Sequence, residues 1–566
     1  MDKSRVVSAG AALLARLKSV GVDYIFANSG TDFPPIIEGL AEASAKDMPL
    51  PHALTIPHEH AAMGMAHGYY LATGRAQAVI AHTDVGLANC AIGALNAHVE
   101  HVPILLFSGR TPTVEKGRFG ARTVPIGWGQ EMRDQASLVR EATKWDYELR
   151  FPEQVPDVVD RAHAIASSTP RGPVYVSLPR EVLCEPCPAD GLGAPPRMRA
   201  HGAHAAPDDI AELAGLIARA KFPVIFAQHG AGSALAFAAL DRMAREWAIP
   251  VCQYWAGQLA LATDHPMATQ WEPGPLLARA DLVICLDTLA PWMPAAHEPC
   301  ADATVVQIGP NPLSQRTPIR NFRADMALAS DLSPAILALE QALASFAPDA
   351  DVAARFDEVA ASNAAARNTA LAAGEPDDAQ GMTKAQIARM VSDALQDDDA
   401  TIFSELGCPM APMRLTHPQA WYQEPHAGGL GWSLPAAMGL QLAAPDRLVV
   451  ATMGDGTYMF ANPVACHQIA EALNLSILIL VLNNNEWGAV RQSVVGLYPD
   501  GYAARANQVP LTGLAPSPDF TLVAQASRAL AMRADDHVQF ADALQKALDH
   551  IRARKGAALI DVRTRP

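Results

Sequence analysis

Residues 446–488 read DRLVVATMGDGTYMFANPVACHQIAEALNLSILILVLNNNEWG, and this stretch decides the fold. Two nearly all-apolar runs within it, Leu448–Met453 and Leu475–Leu482, have the length and the side-chain branching of buried parallel strands. The sequence between the two runs is compatible with a helix. The pattern therefore predicts a right-handed strand–helix–strand unit of a parallel sheet.

A polar cluster follows each of these strands: Gly454-Asp455-Gly456 after the first, and Asn483–Glu486 after the second. Because a parallel crossover brings the carboxyl ends of both strands to one edge of the sheet, we expect Asp455 and Asn484 to meet there. Carboxylate and amide oxygens suit Mg²⁺, and the glycines let the backbone approach a diphosphate closely. A GDG triplet alone is more often a surface turn, so the prediction depends on the combination.

The GDG triplet, the residues up to 482 and the Asn pair together resemble the motif of enzymes that use thiamine diphosphate (ThDP). The resemblance extends over nearly the whole chain, to the superfamily of acetohydroxyacid synthase, pyruvate oxidase and benzoylformate decarboxylase. It implies that Asp455, Asn484 and the backbone carbonyl of Glu486 hold Mg²⁺, and that Gly454 and Gly456 lie beside the cofactor.

A second resemblance lies near the N-terminus, in LTIPHEHAAMGMAHGYYLATG (54–74), which is similar to the start of the pyrimidine-binding domain of this superfamily. Glu59 matches the family's glutamate. The resemblance implies that Glu59 hydrogen-bonds N1′ of the aminopyrimidine, so that the cofactor loses its C2 proton and becomes the nucleophile. The alternative is a glutamate that only interacts with the dipole of its helix.

The segment HAGGLGWSLPAAMG (426–439) resembles the part of the family that keeps thiamine in its bent conformation. The resemblance implies that Leu430 lies between the two rings and that the carbonyl of Gly428 accepts a hydrogen bond from the 4′-amino group. The spacing is closer to that of benzoylformate decarboxylase than to that of acetohydroxyacid synthase.

His82 is the residue that most affects the predicted reaction. In AVIAHTDVGLAN (78–89) it is in register with an active-site histidine of benzoylformate decarboxylase, and Gly86 and Asn89 support the alignment. Asn89 is also expected among the cofactor-binding residues. A histidine exchanges protons near neutral pH, as decarboxylation and aldehyde release require. The alternative is a core histidine at a strand end.

Three further candidates rest on weaker matches. Thr31, in NSGTDF (28–33), either binds a substrate carboxylate or caps the helix that begins near Pro34. Gln130, in GWGQEMRDQ, resembles a glutamine that contacts intermediates in acetohydroxyacid synthase and benzaldehyde lyase, although most glutamines are solvated. His297 loosely matches a second histidine of benzoylformate decarboxylase.

The segment 487–502 contains three glycines and is predicted to close over the substrate. Its Trp487 and Tyr498 either line an apolar substrate pocket or pack in the core.

Two other groups of residues are interpreted as structural. Cys184 and Cys187 form a C-x-x-C without a second pair at zinc spacing, which indicates a linker. His98 and His101 are predicted on the surface, since Pro103 ends their helix and the glutamate between them can pair locally.

Composition narrows the class of protein. The chain has 566 residues, 50% of them hydrophobic, and a formal net charge of −16. The acidic balance argues against nucleic-acid binding. No apolar run reaches membrane-spanning length, and Arg16 and Lys18 interrupt the apolar N-terminal stretch, so a cytoplasmic location is expected.

Strand and helix patterns predict an α/β protein of three doubly wound parallel-sheet domains. The predicted divisions are 1–186 (pyrimidine-binding), 187–206 (linker), 207–348 (central), 349–380 (linker) and 381–566 (diphosphate-binding). In the central domain Gly230-Ala-Gly232 lacks the third glycine of a dinucleotide motif, and Asp287 begins a segment where FAD-dependent relatives carry an arginine. The sequence therefore argues against bound FAD.

The favoured function is ThDP- and Mg²⁺-dependent, nonoxidative decarboxylation of a 2-oxo acid. An acetolactate synthase-like carboligase, or a lyase or hydrolase acting on a diketone or 2-hydroxyacyl substrate, remains an alternative. The resemblance implies at least a homodimer, because Glu59 of one subunit acts on the cofactor held by the other, and it is typical of homotetramers.

Overall fold

Three parallel β-sheets form the framework of the protein. The computed structural model describes residues 6–269, 272–377, 381–506 and 508–565. Among these residues there are three six-stranded sheets, in which every strand pair is parallel, and one two-stranded antiparallel ribbon. The strands are β1 Val6–Ser8, β2 Tyr24–Ala27, β3 His52–Thr55, β4 Gln77–Ala81, β5 Ile104–Arg110, β6 Asp146–Glu148, β7 Val174–Pro179, β8 Pro186–Pro188, β9 Pro223–Ala227, β10 Val251–Cys252, β11 Ala268–Thr269, β12 Leu282–Leu286, β13 Thr304–Gly309, β14 Met326–Ala329, β15 Ala400–Glu405, β16 Trp421–Gln423, β17 Leu448–Gly454, β18 Ile477–Asn483, β19 Leu530–Ala534 and β20 Ala558–Arg563.

Helices cover both faces of the sheets, as parallel strands require. The α-helices are α1 Ala9–Ser19, α2 Pro34–Ala45, α3 Glu59–Thr73, α4 Thr83–Val99, α5 Ile126–Gly129, α6 Val155–Ser167, α7 Arg180–Leu183, α8 Pro207–Arg219, α9 Ala234–Glu246, α10 Pro273–Leu277, α11 Leu332–Leu343, α12 Ala350–Ala373, α13 Lys384–Ala394, α14 Ser433–Ala443, α15 Asp455–Phe460, α16 Pro463–Ala472, α17 Gly488–Leu497, α18 Phe520–Gln525 and α19 His537–Arg552.

The first and third sheets have the same topology. Their strand orders are β3-β2-β4-β5-β7-β6 and β16-β15-β17-β18-β20-β19, which both read 2-1-3-4-6-5 when strands are counted within each sheet. The central sheet, β11-β10-β9-β12-β13-β14, reads 3-2-1-4-5-6, the order of doubly wound nucleotide-binding folds. The predicted architecture of three doubly wound α/β domains is confirmed.

Residues 446–488 form the predicted strand–helix–strand unit. β17 and β18 pair in parallel from Val449–Ile477 to Gly454–Leu482, and every residue of β18 is buried. The connection contains two helices, α15 and α16, instead of one. The break occurs at Asn462, which has a left-handed backbone (φ 54°) and precedes a proline.

The first and third domains meet through α3 and α14, whose backbones touch. A Cβ added to Gly68 would lie 1.8 Å from the carbonyl oxygen of Ala436, and one added to Gly439 would lie 2.0 Å from that of Met65. No side chain fits between the helices at these crossings. The glycines therefore fix the distance between the two domains.

The segment after the first domain returns to its beginning. β8 pairs antiparallel with β1, and the Cys187 thiol on β8 donates to the carbonyl of Pro152 at 3.3 Å. Cys184 and Cys187 are not bonded to each other, and all eight cysteines, which lie in the described part of the chain, are free thiols. Among the described residues, none of the helices has the length and apolar character needed to cross a membrane.

We expect Gly68→Ala to lower the denaturation midpoint strongly. The new methyl group would collide with backbone that cannot move without separating the two domains, and overpacking of this kind costs about 3 kcal/mol. Gly496→Ala is the matched control, because Gly496 lies in the exposed helix α17 with nothing within 4 Å of its added Cβ. Equal stability of Gly68→Ala and the wild type, measured by thermal and urea unfolding, would show that the contact is not a constraint.

Candidate active site

The polar residues of the first domain gather where strand order reverses. β2 and β4 are neighbours, but the chain leaves β2 toward one edge of the sheet and β4 toward the other, which opens a crevice at their carboxyl ends. Asn28 and Asp32 follow β2, His82 follows β4, and Glu59 begins α3. The fold therefore brings together residues from three separate segments.

Glu59 is a buried carboxylate held by two amides. It is 5% exposed; its Oε1 accepts from Nδ2 of Asn28 at 3.0 Å, and its Oε2 accepts from Nδ2 of Asn89 at 3.0 Å. A Cβ at Gly86 would lie 2.9 Å from Oε1, so α4 can approach the carboxylate only with glycine there. Since a carboxylate offers about four lone-pair directions, Glu59 can still accept another hydrogen bond.

His82 stands at the N-terminus of α4 and is bound on one side by Asp32. Its Nδ1 makes a short hydrogen bond to Oδ1 of Asp32, whose Oδ2 accepts from the backbone N–H of Thr83 at 3.3 Å. A carboxylate only accepts, so Nδ1 carries the proton. The hydrogen bond that His82 donates to Asp32 raises the pKa of His82 above its ordinary value, and partial burial opposes that rise.

Gln130 contacts the other side of the same imidazole. Its Nε2 lies 3.0 Å from Nε2 of His82. A side-chain amide can donate to a neutral imidazole or, after rotating, accept from a protonated one. The structure thus brings together two residues that the sequence had proposed separately.

Thr31 and His297 are placed differently. The Thr31 side chain is exposed, and its backbone carbonyl accepts from Nη1 of Arg180 at 3.2 Å. Helix α2 begins at Pro34 as predicted, but its N-cap is Phe33, so the alternative of Thr31 as a helix cap is wrong. His297 lies in the central domain against Gly274, whose added Cβ would be 2.8 Å from the ring.

Asp455 begins α15 in the third domain and is 2% exposed. Its Oδ1 accepts from the N–H of Gly456 at 2.9 Å, whereas its Oδ2 is buried without a hydrogen-bond partner among the described residues. Burial raises the pKa of Asp455 to about 6. A buried, unsatisfied carboxylate oxygen is costly, and a bound cation would supply the missing partner.

The turn after β18 presents two further oxygens. Oδ1 of Asn484 accepts from the N–H of Glu486 at 3.1 Å, and the carbonyl of Glu486 accepts from Gly488 at 2.9 Å. Each oxygen keeps a second lone pair. Asn485, in a left-handed conformation (φ 57°), shapes the turn. Together with the unsatisfied Oδ2 of Asp455, these oxygens are suitable ligands for a hard divalent cation, which would also bind the diphosphate of the cofactor.

The loop before α14 is fixed from two sides. Its Gly428 is exposed, has a left-handed backbone (φ 69°) and has nothing within 4 Å of an added Cβ, so space is open beside it. Gly429 exchanges two hydrogen bonds with the side chain of Asn96, at 2.8 and 3.1 Å. The N–H groups of Gly431 and Ser433 each donate to Glu405 at 2.7 Å.

Sequence reasoning missed Asn28, Asp32 and Glu405. Asn28 and Asp32 belong to the same NSGTDF turn as Thr31. For Asp32, the available signal was its position next to the buried Phe33, where an aspartate needs a partner. Glu405 ends a buried strand, where a fully buried carboxylate needs partners; burial raises its pKa to about 7.

The predicted closing segment is largely a surface element. Helix α17 has no buried residue, and Tyr498, which follows it, is 62% exposed. Trp487 instead lies on the GDG turn, since a Cβ at Gly456 would be 2.5 Å from its ring.

Comparison with known proteins agrees with this architecture. Three family models match: the thiamine pyrophosphate enzyme N-terminal TPP binding domain over residues 7–138, the central domain over 210–339 and the C-terminal TPP binding domain over 406–562. The fold and the paired strand-end sites thus define a three-domain ThDP-binding protein. The chain belongs to the thiamine diphosphate-dependent enzyme superfamily.

Full-length relatives include enzymes of two reaction types. The chain is 27% identical over 578 residues to the probable 2-ketoarginine decarboxylase AruI of Pseudomonas aeruginosa, covering 100% of this chain and 95% of that protein. It is 26% identical over 562 residues to an acetolactate synthase of Mycobacterium bovis, covering 95% of this chain and 85% of that protein. The solved structure of the ThDP-dependent 4-hydroxybenzoylformate decarboxylase of Rhodococcus jostii RHA1 shares the fold, with a TM-score of 0.79, 22% identity and 99% of each chain covered.

Proposed function

We propose that this protein catalyses the nonoxidative decarboxylation of a 2-oxo acid with ThDP and Mg²⁺. The observation that carries the proposal is the imidazole of His82, which Asp32 orients at the same crevice that holds Glu59. The similarity to a protein named as a decarboxylase over the full chain supports it.

The cofactor-binding residues follow from the strand-end oxygens. Oδ2 of Asp455, Oδ1 of Asn484 and the carbonyl of Glu486 would hold Mg²⁺, with Gly454 and Gly456 beside the diphosphate. When bound, ThDP supplies a carbon nucleophile and an electron sink for chemistry next to a carbonyl.

The residues around the aminopyrimidine would come from two subunits, with Glu59, Asn28 and Asn89 supplied by one chain and the loop of Gly428 and Leu430 by its partner. Glu59 would accept a hydrogen bond at N1′, while Asn28 and Asn89 keep its carboxylate in place. Leu430 would lie between the thiamine rings, and the carbonyl of Gly428 would accept from the 4′-amino group.

His82 would deliver a proton to the substrate carbon that has lost its carboxylate. Asp32 favours the protonated imidazole, and Gln130 would hold Nε2 in line whichever protonation state is present. The exposed hydroxyl of Thr31, on the same turn as Asp32, would bind the substrate carboxylate.

We further propose that the active unit is at least a homodimer and that the protein assembles as a homotetramer. The helix α17 and the aromatic side chain of Tyr498 next to it are exposed in the single chain, which supports a partner or substrate covering them. A cytoplasmic location accords with the proposed substrate class.

An acetolactate synthase-like carboligase is the second candidate. It is favoured by the relative of that name and by Gln130, whose amide reaches the crevice and could hold a second carbonyl substrate. Cleavage of a diketone or a 2-hydroxyacyl substrate is the third.

The test is carbon dioxide release by the protein loaded with ThDP and Mg²⁺, from a panel of 2-oxo acids that includes guanidino, aromatic and short aliphatic side chains, with chromatography of the products. We expect carbon dioxide together with the free aldehyde. Release with acetolactate-type products would favour the carboligase instead. Absence of release from protein proven to hold the cofactor would overturn both proposals.

Glu59→Gln should keep ThDP binding but nearly abolish turnover. The variant is isosteric, yet its neutral amide cannot exchange a proton at N1′, and its NH₂ would face an amide donor of Asn28 or Asn89.

Asp455→Asn should instead weaken cofactor binding. We expect the affinity for Mg²⁺ and ThDP to fall by at least about tenfold, because a charge-bearing ligand is lost. Calorimetric binding and single-turnover kinetics separate the two effects; wild-type turnover by Glu59→Gln would contradict the assignment.

Asp32→Asn should move the alkaline limb of the pH–activity profile to lower pH. If protonated His82 is required, activity falls as pH rises through its pKa. Asp32 raises that pKa, so its neutralisation lowers the pKa and the limb shifts toward acid.

Asp84→Asn is the control for this shift. Asp84 lies in the first turn of the same helix and raises the pKa of His82 through charge alone, so its removal should shift the limb less. If the alkaline limb of the pH–activity profile lies at the same pH in wild type and Asp32→Asn, His82 is not the group whose titration determines it.

A further inference from the structure

A buried cluster outside the proposed active site joins all three domains. Glu100 caps the C-terminus of α4 in the first domain, His229 follows β9 in the central domain, and His426 follows β16 in the third. Their side chains are 6%, 7% and 12% exposed. The expectation that Glu100 pairs locally, on which the predicted surface position of His98 and His101 partly rested, is therefore wrong: Glu100 pairs with residues of the other two domains.

The three side chains converge on one point. Oε2 of Glu100 lies 3.1 Å from Nε2 of His229, and Oε1 lies 3.2 Å from Nδ1 of His426. One donor atom from each residue can be chosen so that all three lie within 4.8 Å of one another.

Each imidazole is oriented by a carbonyl on its far side. Nδ1 of His229 lies 2.8 Å from the carbonyl oxygen of Asp287, and Nε2 of His426 lies 3.0 Å from that of Trp255. A carbonyl oxygen only accepts, so these two nitrogens carry the protons. The remaining nitrogens, Nε2 of His229 and Nδ1 of His426, are directed toward Glu100. Metal-binding histidines characteristically have this outer hydrogen bond to a carbonyl or carboxylate.

The contact between His229 and Glu100 is close without being a hydrogen bond. Nε2 of His229 is buried and has no hydrogen-bond partner among the described residues, although an oxygen of Glu100 is 3.1 Å away. The oxygen therefore lies off the axis of the nitrogen. Two ligands of one metal ion can stand in this relation, whereas Nδ1 of His426 and Oε1 of Glu100 are aligned as a hydrogen bond at 3.2 Å.

We propose that Glu100, His229 and His426 form a binding site for a divalent transition-metal ion, with Zn²⁺ as the ion that best fits the ligands. Two histidines and a glutamate are an established zinc ligand set. Bonds of 2.0–2.1 Å in a tetrahedron place neighbouring ligand atoms about 3.3 Å apart. The two oxygens of Glu100 lie 3.1 and 3.2 Å from the histidine nitrogens, and one donor atom from each residue lies within 4.8 Å of the others. The Asp455 site differs from this one, because all its ligands are oxygen atoms and suit Mg²⁺.

The fourth coordination position would be open. Glu100 and His229 line a cavity of 380 Å³ between the first and central domains, which gives water or a small anion access to the site. Asp287 supports the outer shell: its Oδ2 is 3.5 Å from Nδ1 of His229, and its Oδ1 is 3.8 Å from Nε2 of His101.

The ion would hold the three domains together next to the loop before α14. Oε1 of Glu100 also accepts from the backbone N–H of His426 at 2.9 Å, which fixes the start of the loop that contains Gly428 and Leu430. An ion that binds only the folded protein should therefore raise the unfolding temperature.

The test uses the full-length protein, stripped with a chelator and then saturated with ThDP and excess Mg²⁺. Zinc content after equilibrium dialysis, and the visible spectrum after Co²⁺ addition, are measured. We expect one Zn²⁺ per chain, the intense absorption of tetrahedral Co²⁺, and a higher unfolding temperature with Zn²⁺. No zinc uptake by wild type, or only the weak spectrum of octahedral Co²⁺, would show that the cluster is an ion pair without a metal.

The variant His229→Gln should lower zinc affinity by more than about a hundredfold, because loss of an outer-shell partner alone costs roughly 10–100-fold. His98→Gln is the control; His98 lies on the same helix as Glu100 and supplies no donor atom to the cluster. Equal zinc affinity in His229→Gln and wild type would place the ion elsewhere and overturn the proposal. If His229→Gln does not fold, the Co²⁺ spectrum of the wild type still decides.

Discussion

The contact between α3 and α14 is the constraint on which the rest of the structure depends. Backbone meets backbone at Gly68 and Gly439, so the helices can neither slide nor separate without losing the interface. The first residue of α3 is Glu59, and the first residue of α14 is Ser433. A helix–helix contact with no adjustable side chain thus fixes Glu59 relative to the loop before α14 within one chain, and in the proposed homodimer these two belong to different cofactor sites. The two glycines therefore set the spacing of the two half-sites that each chain contributes.

Two buried carboxylates hold the loop that precedes α14. Glu405 accepts from the N–H groups of Gly431 and Ser433, just before and at the start of α14, and Glu100 accepts from the N–H of His426. Burying a carboxylate is unfavourable in isolation, and it becomes tolerable where backbone donors near a helix N-terminus surround it. The loop between these two anchors contains glycines with left-handed backbones, at 428 and 431, and would otherwise be free to move. Rigidity is therefore imposed on the part of the chain with the weakest local preference for one conformation.

The predictable part of the fold and site was the part encoded locally. Apolar strands followed by polar turns place Asp455 at a sheet edge because strand length and crossover handedness leave little choice, and the structure has that geometry. The partners of side chains could not be predicted in this way. Asp32 and His82 are 50 residues apart, and Glu100 and His426 are 326 apart. Their pairing depends on which strands are neighbours and how domains dock, so a glutamate that looked locally paired on the surface proved to be an interdomain contact.

The two ionisable groups of the first crevice have opposite surroundings, and this difference explains why they suit different tasks. Glu59 accepts hydrogen bonds from the side-chain amides of Asn28 and Asn89, which hold its carboxylate in one orientation. His82 lies between Asp32, which only accepts, and Gln130, which can donate or accept according to the orientation of its amide. The carboxylate side holds one ring proton permanently, and the amide side tolerates either protonation state of the other nitrogen. A proton can therefore leave and return at Nε2 without rearranging the backbone, which is the property that protonation of a decarboxylated carbon demands. Enzymes that join carbon fragments and enzymes that cleave them share the domains, the strand ends and the helix contacts. Side chains next to the reacting groups, such as Asp32 and Gln130 beside His82, therefore decide between the two reactions.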